Sequence, residues 1–295
     1  MLVDNLNIPK SFDVEFYRSD KPFLQSADEA TDHFLSKGKR QGFKGSPACD
    51  QGYLLRFVHR LKPDLMLEIG PGSAPKLKGP NVRYFDVKSK KELEDRYIND
   101  VSSSQIPDII HYVDKEGSLG GINDKFDVVF SSHAIEHTFD FIAHLNEVEE
   151  VLKGNGLYVL VVPNKNFTFD YFKPVSILED ILAAHFDCNQ KPSLPLKSML
   201  LEINRRTHNN PKEHWAGSHG DLGFDKKSIL DGIERFRRTA SDSVAASGYH
   251  NWIFTENSFE EIVTRLHDLN LISLRVLGIY NTPFNGMSFS AILGK

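Results

Sequence analysis

Two histidines and a glutamate in the middle of the chain have a spacing that suits acid–base or metal chemistry. His133, Glu136 and His137 are separated as i, i+3 and i+4, which places them on one face of a helical turn. Imidazole and carboxylate groups are common metal ligands. A histidine with an ordinary pKa can also take a proton from a hydroxyl group near neutral pH. A structural hydrogen bond to the backbone is the alternative role of His137.

A metal centre on this segment needs a further ligand from elsewhere in the chain. Histidines recur after residue 164, and we expect His214 or His219 to supply that ligand. The competing interpretation of this stretch is a solvated loop with incidental histidines.

A second candidate site is a tight turn after the short apolar run 65–69, which contains Glu68. The turn consists of Gly70, Pro71, Gly72 and Ser73. Glycine lets the backbone approach a ligand because no Cβ stands in the way. Asp86 ends the next apolar run and follows Glu68 by 86 − 68 = 18 residues. This separation is close to the spacing of about 20 residues that is expected when an acid at the end of the second strand holds a ribose diol. Pro75 stands where the dinucleotide fingerprint has its third glycine, so a nicotinamide enzyme is disfavoured.

Apolar runs and amphipathic stretches predict the elements that position these residues. Strands are expected at 65–69, 82–87, near 113, and at 126–132, 157–162, 271–280 and 287–293. Helices are expected at 26–37, 50–58, 137–152, 176–186 and from 258 onwards. Residues 1 to about 24, with two prolines, are expected to form an irregular arm.

The strand, the glycine turn, the acidic strand end at Asp86 and the segment 131–137 occur in this order. Together they resemble the class I S-adenosylmethionine-dependent methyltransferases. The resemblance covers roughly residues 64–163, and the end of the chain more faintly. It implies S-adenosylmethionine as cofactor and an α/β fold, a Rossmann-like seven-stranded, mostly parallel sheet with helices on both faces.

The resemblance also implies roles for single residues. The cofactor-binding set would be Glu68, Gly70, Pro71, Gly72, Ser73, Asp86, Asp114, Leu119 and Ser132. In the family, the loop that carries Asp114 and Leu119 lies by the adenine ring; the alternative role of Asp114 is to cap a turn. His137 follows the fourth strand, beside the place of the methyl group in the family, so His137 or His133 is the expected base.

The segment 133–137 further resembles the Glu-x-x-Glu-His element of metal-dependent O-methyltransferases, among them ubiquinone-pathway and small-RNA 2′-O-methyltransferases. His133 stands where that element has a glutamate. The implied divalent metal site consists of His133, Glu136, His137 and a ligand from His214 or His219. A zinc-protease helix has similar spacing but does not follow a strand of a glycine-turn fold.

The simple alternation of expected strands and helices stops after residue 164, and the expected domain organisation follows from this change. Residues 1–60 form an N-terminal arm and helices, and 61–164 form the cofactor-binding core. Residues 165–249 form an inserted, loop-rich cap that binds the acceptor, as such insertions do in the family, and 250–295 complete the core.

The acceptor is inferred from the insert and from overall charge. The stretches 168–172 and 250–255 look like a bacterial branch of polysaccharide and surface-glycan enzymes, and their aromatic residues suit stacking on a sugar. Arg205 and Arg206 could meet a phosphate or carboxylate, or lie on a solvated helix face. We therefore expect O-methylation of a sugar or glycan-related small acceptor. The alternatives are a metal-dependent RNA ribose methyltransferase and a non-catalytic cofactor-binding module.

Composition sets the remaining expectations. The chain has 295 residues and a net charge of −5, which disfavours nucleic acid as a partner. Its two cysteines make no disulfide framework and fit a reducing cytoplasm. No secretory signal is visible, and no apolar run approaches the ~18 residues of a membrane span. We expect a cytoplasmic protein, and leave the oligomeric state open.

Overall fold

The computed structural model describes residues 7–99, 105–187, 193–223, 225–239 and 248–295. The strands are β1 Met66–Ile69, β2 Val82–Asp86, β3 Tyr112–Val113, β4 Phe126–Ser132, β5 Leu152–Pro163, β6 Arg275–Tyr280 and β7 Ser288–Gly294. They form a seven-stranded sheet in the order β3-β2-β1-β4-β5-β7-β6. The strands from β3 to β5 pair in parallel, and β7 is antiparallel to both of its neighbours. The expected fold class is confirmed.

The helices cover both faces of this sheet. They are α1 Val14–Arg18, α2 Ala27–His33, α3 Gln51–Arg60, α4 Lys90–Arg96, α5 Phe141–Val151, α6 Leu178–Phe186, α7 Ser193–Arg205, α8 Pro211–Trp215, α9 Lys226–Thr239 and α10 Glu256–Asp268. Short 3-10 helices lie at Pro47–Cys49, Ile135–His137 and Lys165–Phe167. Of the helices described, none is long and apolar enough to cross a membrane.

Alternate residues of β4 point into two hydrophobic cores. Val129 packs in one core with Leu145 of α5 and Phe259 of α10. Val128 packs in the other core with Leu54 of α3. Because the central strands are buried on both faces, they have nearly continuous apolar sequences rather than alternating ones.

The N-terminal arm and the start of the fifth helix differ from the expectation. The helix α1 lies within the region expected to be irregular, and Tyr17 packs against Phe34 in a small core of its own. A five-residue helix is too short to show helical periodicity. The helix expected from His137 begins instead at Phe141, because the Asp140 side chain accepts a hydrogen bond from Ala143 N and caps it.

The inserted segment is largely helical, so the expected loop-rich cap is wrong in that respect. It contains α6 to α9, and α7 packs against α9 where Gly232 faces the Ile203 side chain. The division of the chain at 164 and 249 stays a prediction, although the sheet takes β6 and β7 from beyond the insert.

Backbone pairing joins the insert to the segment that precedes α10. Ser176 N donates to the Ile253 carbonyl at 2.8 Å, and Ile253 N donates to Ser176 Oγ at 3.0 Å. Lys165 N donates to the Phe254 carbonyl at 2.9 Å. Ser176 and Ile253 are buried, so this junction lies beneath the surface.

We expect Ser176→Ala to lower the free energy of unfolding by about 1–3 kcal/mol, because it leaves the buried Ile253 N–H without a partner. Urea denaturation followed by circular dichroism measures the change. The control is Ser36→Ala, which removes an exposed hydroxyl on the surface and is expected to have little effect. Equal stabilities for the two variants would contradict the role of this junction.

Candidate active site and metal centre

The candidate site lies where the strand order reverses. β1 stands between β2 and β4, and Ile69 of β1 pairs with Ser131 of β4. In open α/β sheets, ligands bind outside the carboxyl ends of the strands at such a switch point. The glycine turn leaves the end of β1 here, and the segment 133–137 leaves the end of β4.

The glycine turn is held in a conformation that few other residues adopt. Gly70 and Gly72 have φ angles of 70° and 51°, in the left-handed region. A Cβ on Gly70 would lie 3.3 Å from the Ala134 Cβ, so the turn and the segment after β4 are immediate neighbours. Pro71 is buried and Ser73 is half-buried in the same turn.

Asp86 lies beside the turn at the end of β2. Its Oδ2 accepts a hydrogen bond from Gly72 N at 3.3 Å, and its Oδ1 accepts one from Lys88 N at 3.0 Å. Burial raises the pKa of this carboxyl group above its ordinary value. The structure thus brings together the turn and the acid that the 18-residue spacing predicted as partners.

Glu68 supports the backbone that follows the glycine turn, and its expected contact with the cofactor stays a prediction. Its carboxylate accepts hydrogen bonds from Lys76 N and Leu77 N, each at 2.8 Å, and only 2% of the residue is exposed. Burial raises its pKa to about 7. Glu68 therefore holds the chain where it returns from the glycine turn, and the backbone already occupies its oxygens.

The remaining expected cofactor residues lie at the rim of the site or in the core. Asp114 Oδ1 accepts hydrogen bonds from Glu116 N at 2.9 Å and Ser118 N at 3.1 Å, which is the turn-capping role. Leu119 is 1% exposed and packs in the core, so it offers almost no surface to an adenine ring. Ser132 is half-buried at the end of β4. Contacts of these residues with adenine or cofactor stay a prediction.

The Glu136 carboxylate is the centre of the site. Its side chain is 0% exposed, and within the described residues neither oxygen has a hydrogen-bond partner. Imidazole nitrogens surround Oε1: His133 Nδ1 at 3.8 Å, His137 Nε2 at 4.0 Å and His250 Nε2 at 3.8 Å. Burial raises the pKa of Glu136 to about 7.

The outer nitrogen of each of these rings lies within hydrogen-bond distance of another group of the protein. His137 Nδ1 donates to the Tyr249 carbonyl at 2.9 Å, and His250 Nδ1 donates to Asp170 Oδ2 at 2.6 Å. Because a carbonyl can only accept, the His137 proton resides on Nδ1, and its Nε2 lone pair faces Glu136. A metal-binding imidazole is typically oriented by such a bond from its other nitrogen.

Burial sets the charge of two of the three histidines, and a carboxylate partner sets that of the third. It lowers the pKa of both His133 and His137 to about 4, so both rings are neutral at pH 7. Burial also acts to lower the pKa of His250, but the hydrogen bond to Asp170 and the nearby carboxylates raise it above its ordinary value. The neutral rings do not neutralise the charge of Glu136.

The ligand atoms of Glu136, His137 and His250 lie within 4.8 Å of one another. A divalent cation between them would satisfy an otherwise unpaired buried carboxylate, and one carboxylate with two imidazoles is a donor set that zinc and other divalent transition metals accept. The residues present therefore fit a metal ion.

His214 and His219 lie outside this group of described residues, in which His250 is the third member. His214 Nδ1 lies 3.1 Å from His219 Nδ1, and the His219 ring stacks on Tyr171 with centroids 3.7 Å apart. These two histidines bond to each other and stack with aromatic rings of the insert. Proximity of His250 to Glu136 arises from the tertiary fold, and no local spacing signals it.

The helical-turn geometry expected for 133–137 is also corrected. His133 has a φ of 54° and lies outside any helix, whereas His137 ends the 3-10 helix Ile135–His137. The Nε2 atom of His133 lies 2.8 Å from Ser288 Oγ at the start of β7. The side chains still converge on Glu136, by a different backbone path.

A model of a known protein family matches part of this region. Residues 87–160 match the family model Methyltransf_11, described as a methyltransferase domain. The match includes the segment 133–137 and does not reach the glycine turn. A search of curated proteins found no match.

Solved structures with a similar chain path are methyltransferases of low sequence identity. The plantazolicin methyltransferase BpumL, in complex with a monoazolic desmethylPZN analog and SAH, is 12% identical with a TM-score of 0.40, covering 99% of this chain and 96% of that one. An S-adenosylmethionine-dependent methyltransferase from Clostridium acetobutylicum is 9% identical with a TM-score of 0.39, covering 90% and 96%. For the mitomycin 7-O-methyltransferase MmcR, the identity is 9%, the TM-score 0.36, and the coverage 95% of this chain. This chain spans 60% of the length of MmcR. Similarity at this level carries no argument about activity.

A hydrogen-bonded chain lies beneath the site. Tyr158 OH lies 2.9 Å from Ser131 Oγ and 3.1 Å from His144 Nε2, and all three groups are buried. Burial lowers the pKa of His144 to about 4. The unfolded chain has an ordinary histidine pKa of about 6.5 and so binds more protons between these two values. The stability contributed by neutral His144 is present above pH 6.5 and is lost as the pH falls towards 4.

We expect His144→Gln to reduce the loss of stability between pH 7 and pH 4.5 by up to about 3 kcal/mol, the upper limit for a shift of this size. Glutamine cannot titrate in this range but can still bond to Tyr158. Urea denaturation at several pH values measures the effect, with the exposed His59→Gln as control. An unchanged pH profile in His144→Gln would show that His144 is not held neutral.

Proposed function

We propose that this chain is an S-adenosylmethionine-dependent methyltransferase. The observation that carries the proposal is that a glycine turn paired with Asp86 lies directly beside the Glu136 centre, at the switch point of the sheet. The methyltransferase-domain match over residues 87–160 supports it. One half of the site is suited to a nucleoside cofactor, and the other to a polar acceptor.

The cofactor half consists of the glycine turn and Asp86. S-Adenosylmethionine, when bound, supplies a methyl group on a sulfonium, which needs positioning more than covalent help from the protein. Gly70 and Gly72 have no Cβ, so a ligand can approach the backbone of the turn closely. Asp86, which accepts hydrogen bonds from backbone N–H groups of the turn and the following loop, would also accept hydrogen bonds from the ribose hydroxyls.

The acceptor half consists of Glu136, His137 and His250, which would hold a divalent ion. Such an ion polarises a bound hydroxyl and lowers its pKa. With His137 used as a ligand, His133 is the group left to receive the hydroxyl proton, and its side chain is 38% exposed. Burial keeps the His133 ring neutral at pH 7, so one of its nitrogens is free of a proton.

The acceptor we propose is a sugar or a glycan-related small molecule that is methylated on oxygen. Phe169 supports this choice, because its half-buried ring lies with its centroid 4.8 Å from that of His250. Sugar rings pack on exposed aromatic surface, which would bring a hydroxyl towards the metal ligands. The guanidinium of Arg206 lies 4.5 Å from the Phe169 centroid and suits an anionic group on the acceptor.

We expect Asp86→Asn to weaken the binding of S-adenosylmethionine and of its demethylated product by about 1.5–3 kcal/mol, the cost of losing a charged hydrogen bond. Gly72→Val is expected to weaken both as well, since valine is strained at a φ of 51° and intrudes on the crevice. Titration calorimetry measures both affinities. Asp108→Asn, on an exposed acid, is the control. Unchanged affinity in both site variants would refute the cofactor assignment.

The experiment that tests the activity is a mass-spectrometric screen of nucleotide sugars, glycan fragments and short RNA for the gain of a methyl group. We expect a sugar-containing acceptor to gain it, and the reaction to stop with chelator and resume with added Mn²⁺. Glu136→Gln, His137→Ala and His250→Ala should lower both metal content and turnover, while leaving cofactor affinity nearly intact.

The control for these variants is His214→Ala, which lies outside the ligand group. If His137→Ala keeps its metal and loses about 100-fold or more in turnover, His137 is a general base and not a ligand. Methylation of RNA alone would overturn the proposed acceptor, and full activity in chelator would overturn the metal.

A further inference from the structure

A fully buried lysine, Lys173, lies behind the site and takes no part in the chemistry proposed above. The Lys173 ammonium lies 2.7 Å from Asp170 Oδ1 and 2.6 Å from Glu202 Oε2. The side chain of Lys173 is 0% exposed, that of Asp170 is 2% and that of Glu202 is 14%. The other oxygen of Asp170 accepts the His250 Nδ1–H bond, so this carboxylate is ion-paired through one oxygen and hydrogen-bonded through the other.

These contacts form a continuous chain from α7 to the metal centre. It runs from Glu202 through Lys173 and Asp170 to His250, whose Nε2 faces Glu136. A buried ion pair of this kind is seldom the most stable choice, because removing charges from water costs about as much as their attraction returns. Its benefit is therefore expected in orientation rather than in stability.

The backbone that carries Asp170 is attached to the end of α7 at further points. Thr207 N donates to the Phe169 carbonyl at 3.1 Å, and Arg205 Nη1 donates to the Phe172 carbonyl at 3.3 Å. Arg206 is paired with Glu202 Oε1, which leaves Oε2 for Lys173. The loop 169–173 is thus fixed against α7 along its length.

We propose that Lys173 and Glu202 are positioning residues for His250. By fixing Asp170, they hold the imidazole with its Nδ1–H bonded to Asp170 and its Nε2 directed towards Glu136. The inference rests on the proposed function in taking Glu136, His137 and His250 as metal ligands. Neither positioning residue contacts the metal ligands directly; they act through Asp170.

Three variants separate the charge of Lys173 from the anchoring role of Glu202 and from its hydrogen bonding. Lys173→Met keeps the length of the side chain and removes its charge, and Glu202→Ala removes the outer anchor. Glu202→Gln keeps an acceptor for Lys173 and is the conservative variant. The matched control is Lys197→Met. Lys197 lies in α7, as Glu202 does, and its ammonium is 3.1 Å from Asp180 Oδ1 at the surface.

Two measurements on the whole protein test the proposal. In the metal-free protein, nitrogen-15 NMR of the histidine rings follows the His250 Nδ1 proton, whose exchange with water should rise at least about 10-fold in Lys173→Met and Glu202→Ala. Mn²⁺ affinity, followed by electron paramagnetic resonance, should fall about 10- to 100-fold in the same variants, as for other partners that orient metal ligands. Glu202→Gln should stay close to the wild type, and Lys197→Met should equal it.

The outcomes distinguish this inference from the proposed function. If wild-type protein binds Mn²⁺, and Lys173→Met and Glu202→Ala match it in both measurements, the positioning role is wrong and the metal site stands. If wild-type protein binds no Mn²⁺, the metal assignment is wrong, and the NMR comparison alone decides whether these residues hold His250. If Lys173→Met fails to fold, Glu202→Ala, altered near the surface, decides in its place.

Discussion

The carboxylate of Glu136 is the constraint around which the site is built. A fully buried carboxylate with no hydrogen-bond partner among the described residues is costly, because it loses its hydration and receives no donor in return. The surrounding backbone nevertheless fixes it in place. The Glu136 carbonyl accepts hydrogen bonds from Asn251 N at 2.8 Å and Trp252 N at 3.1 Å, and Trp252 Nε1 bonds to the Thr138 carbonyl at 2.7 Å. The segment after β4 and the segment before α10 are therefore locked together.

The free-energy cost of burying the Glu136 carboxylate can be offset by a proton or by a cation. The raised pKa of Glu136, about 7, shows that a proton is held more readily than in water. The neighbouring rings of His133 and His137 are neutral, so they add no positive charge but do offer lone pairs. A carboxylate that faces imidazole nitrogens suits the proposed divalent cation, which Glu136, His137 and His250 would bind together. A single proton would leave most of them unpaired.

The sequence predicts the parts of the site that depend on local pattern. The glycine turn and Asp86 follow from strands with near-continuous apolar sequences and from the spacing between their ends, and the structure brings the two together. The role of Glu68 could not be predicted in this way, because strand position alone does not show that its oxygens meet backbone N–H groups eight and nine residues later. Likewise, His250 lies 250 − 137 = 113 residues after His137, and neither spacing nor periodicity reports a contact over that separation.

The three imidazoles share a feature that explains why the acceptor half was harder to predict. Each is held at one nitrogen by a group from beyond β5: His133 by Ser288, His137 by Tyr249 and His250 by Asp170. The strands β1 to β4 supply the glycine turn, Asp86 and Glu136, whereas the later chain sets how the rings are turned. The proposed cofactor half can thus stay constant while insertions after β5 reshape the acceptor half. Because α7 reaches His250 through Lys173 and Asp170, a change in how the insert packs would alter ligand orientation before it altered the cofactor turn.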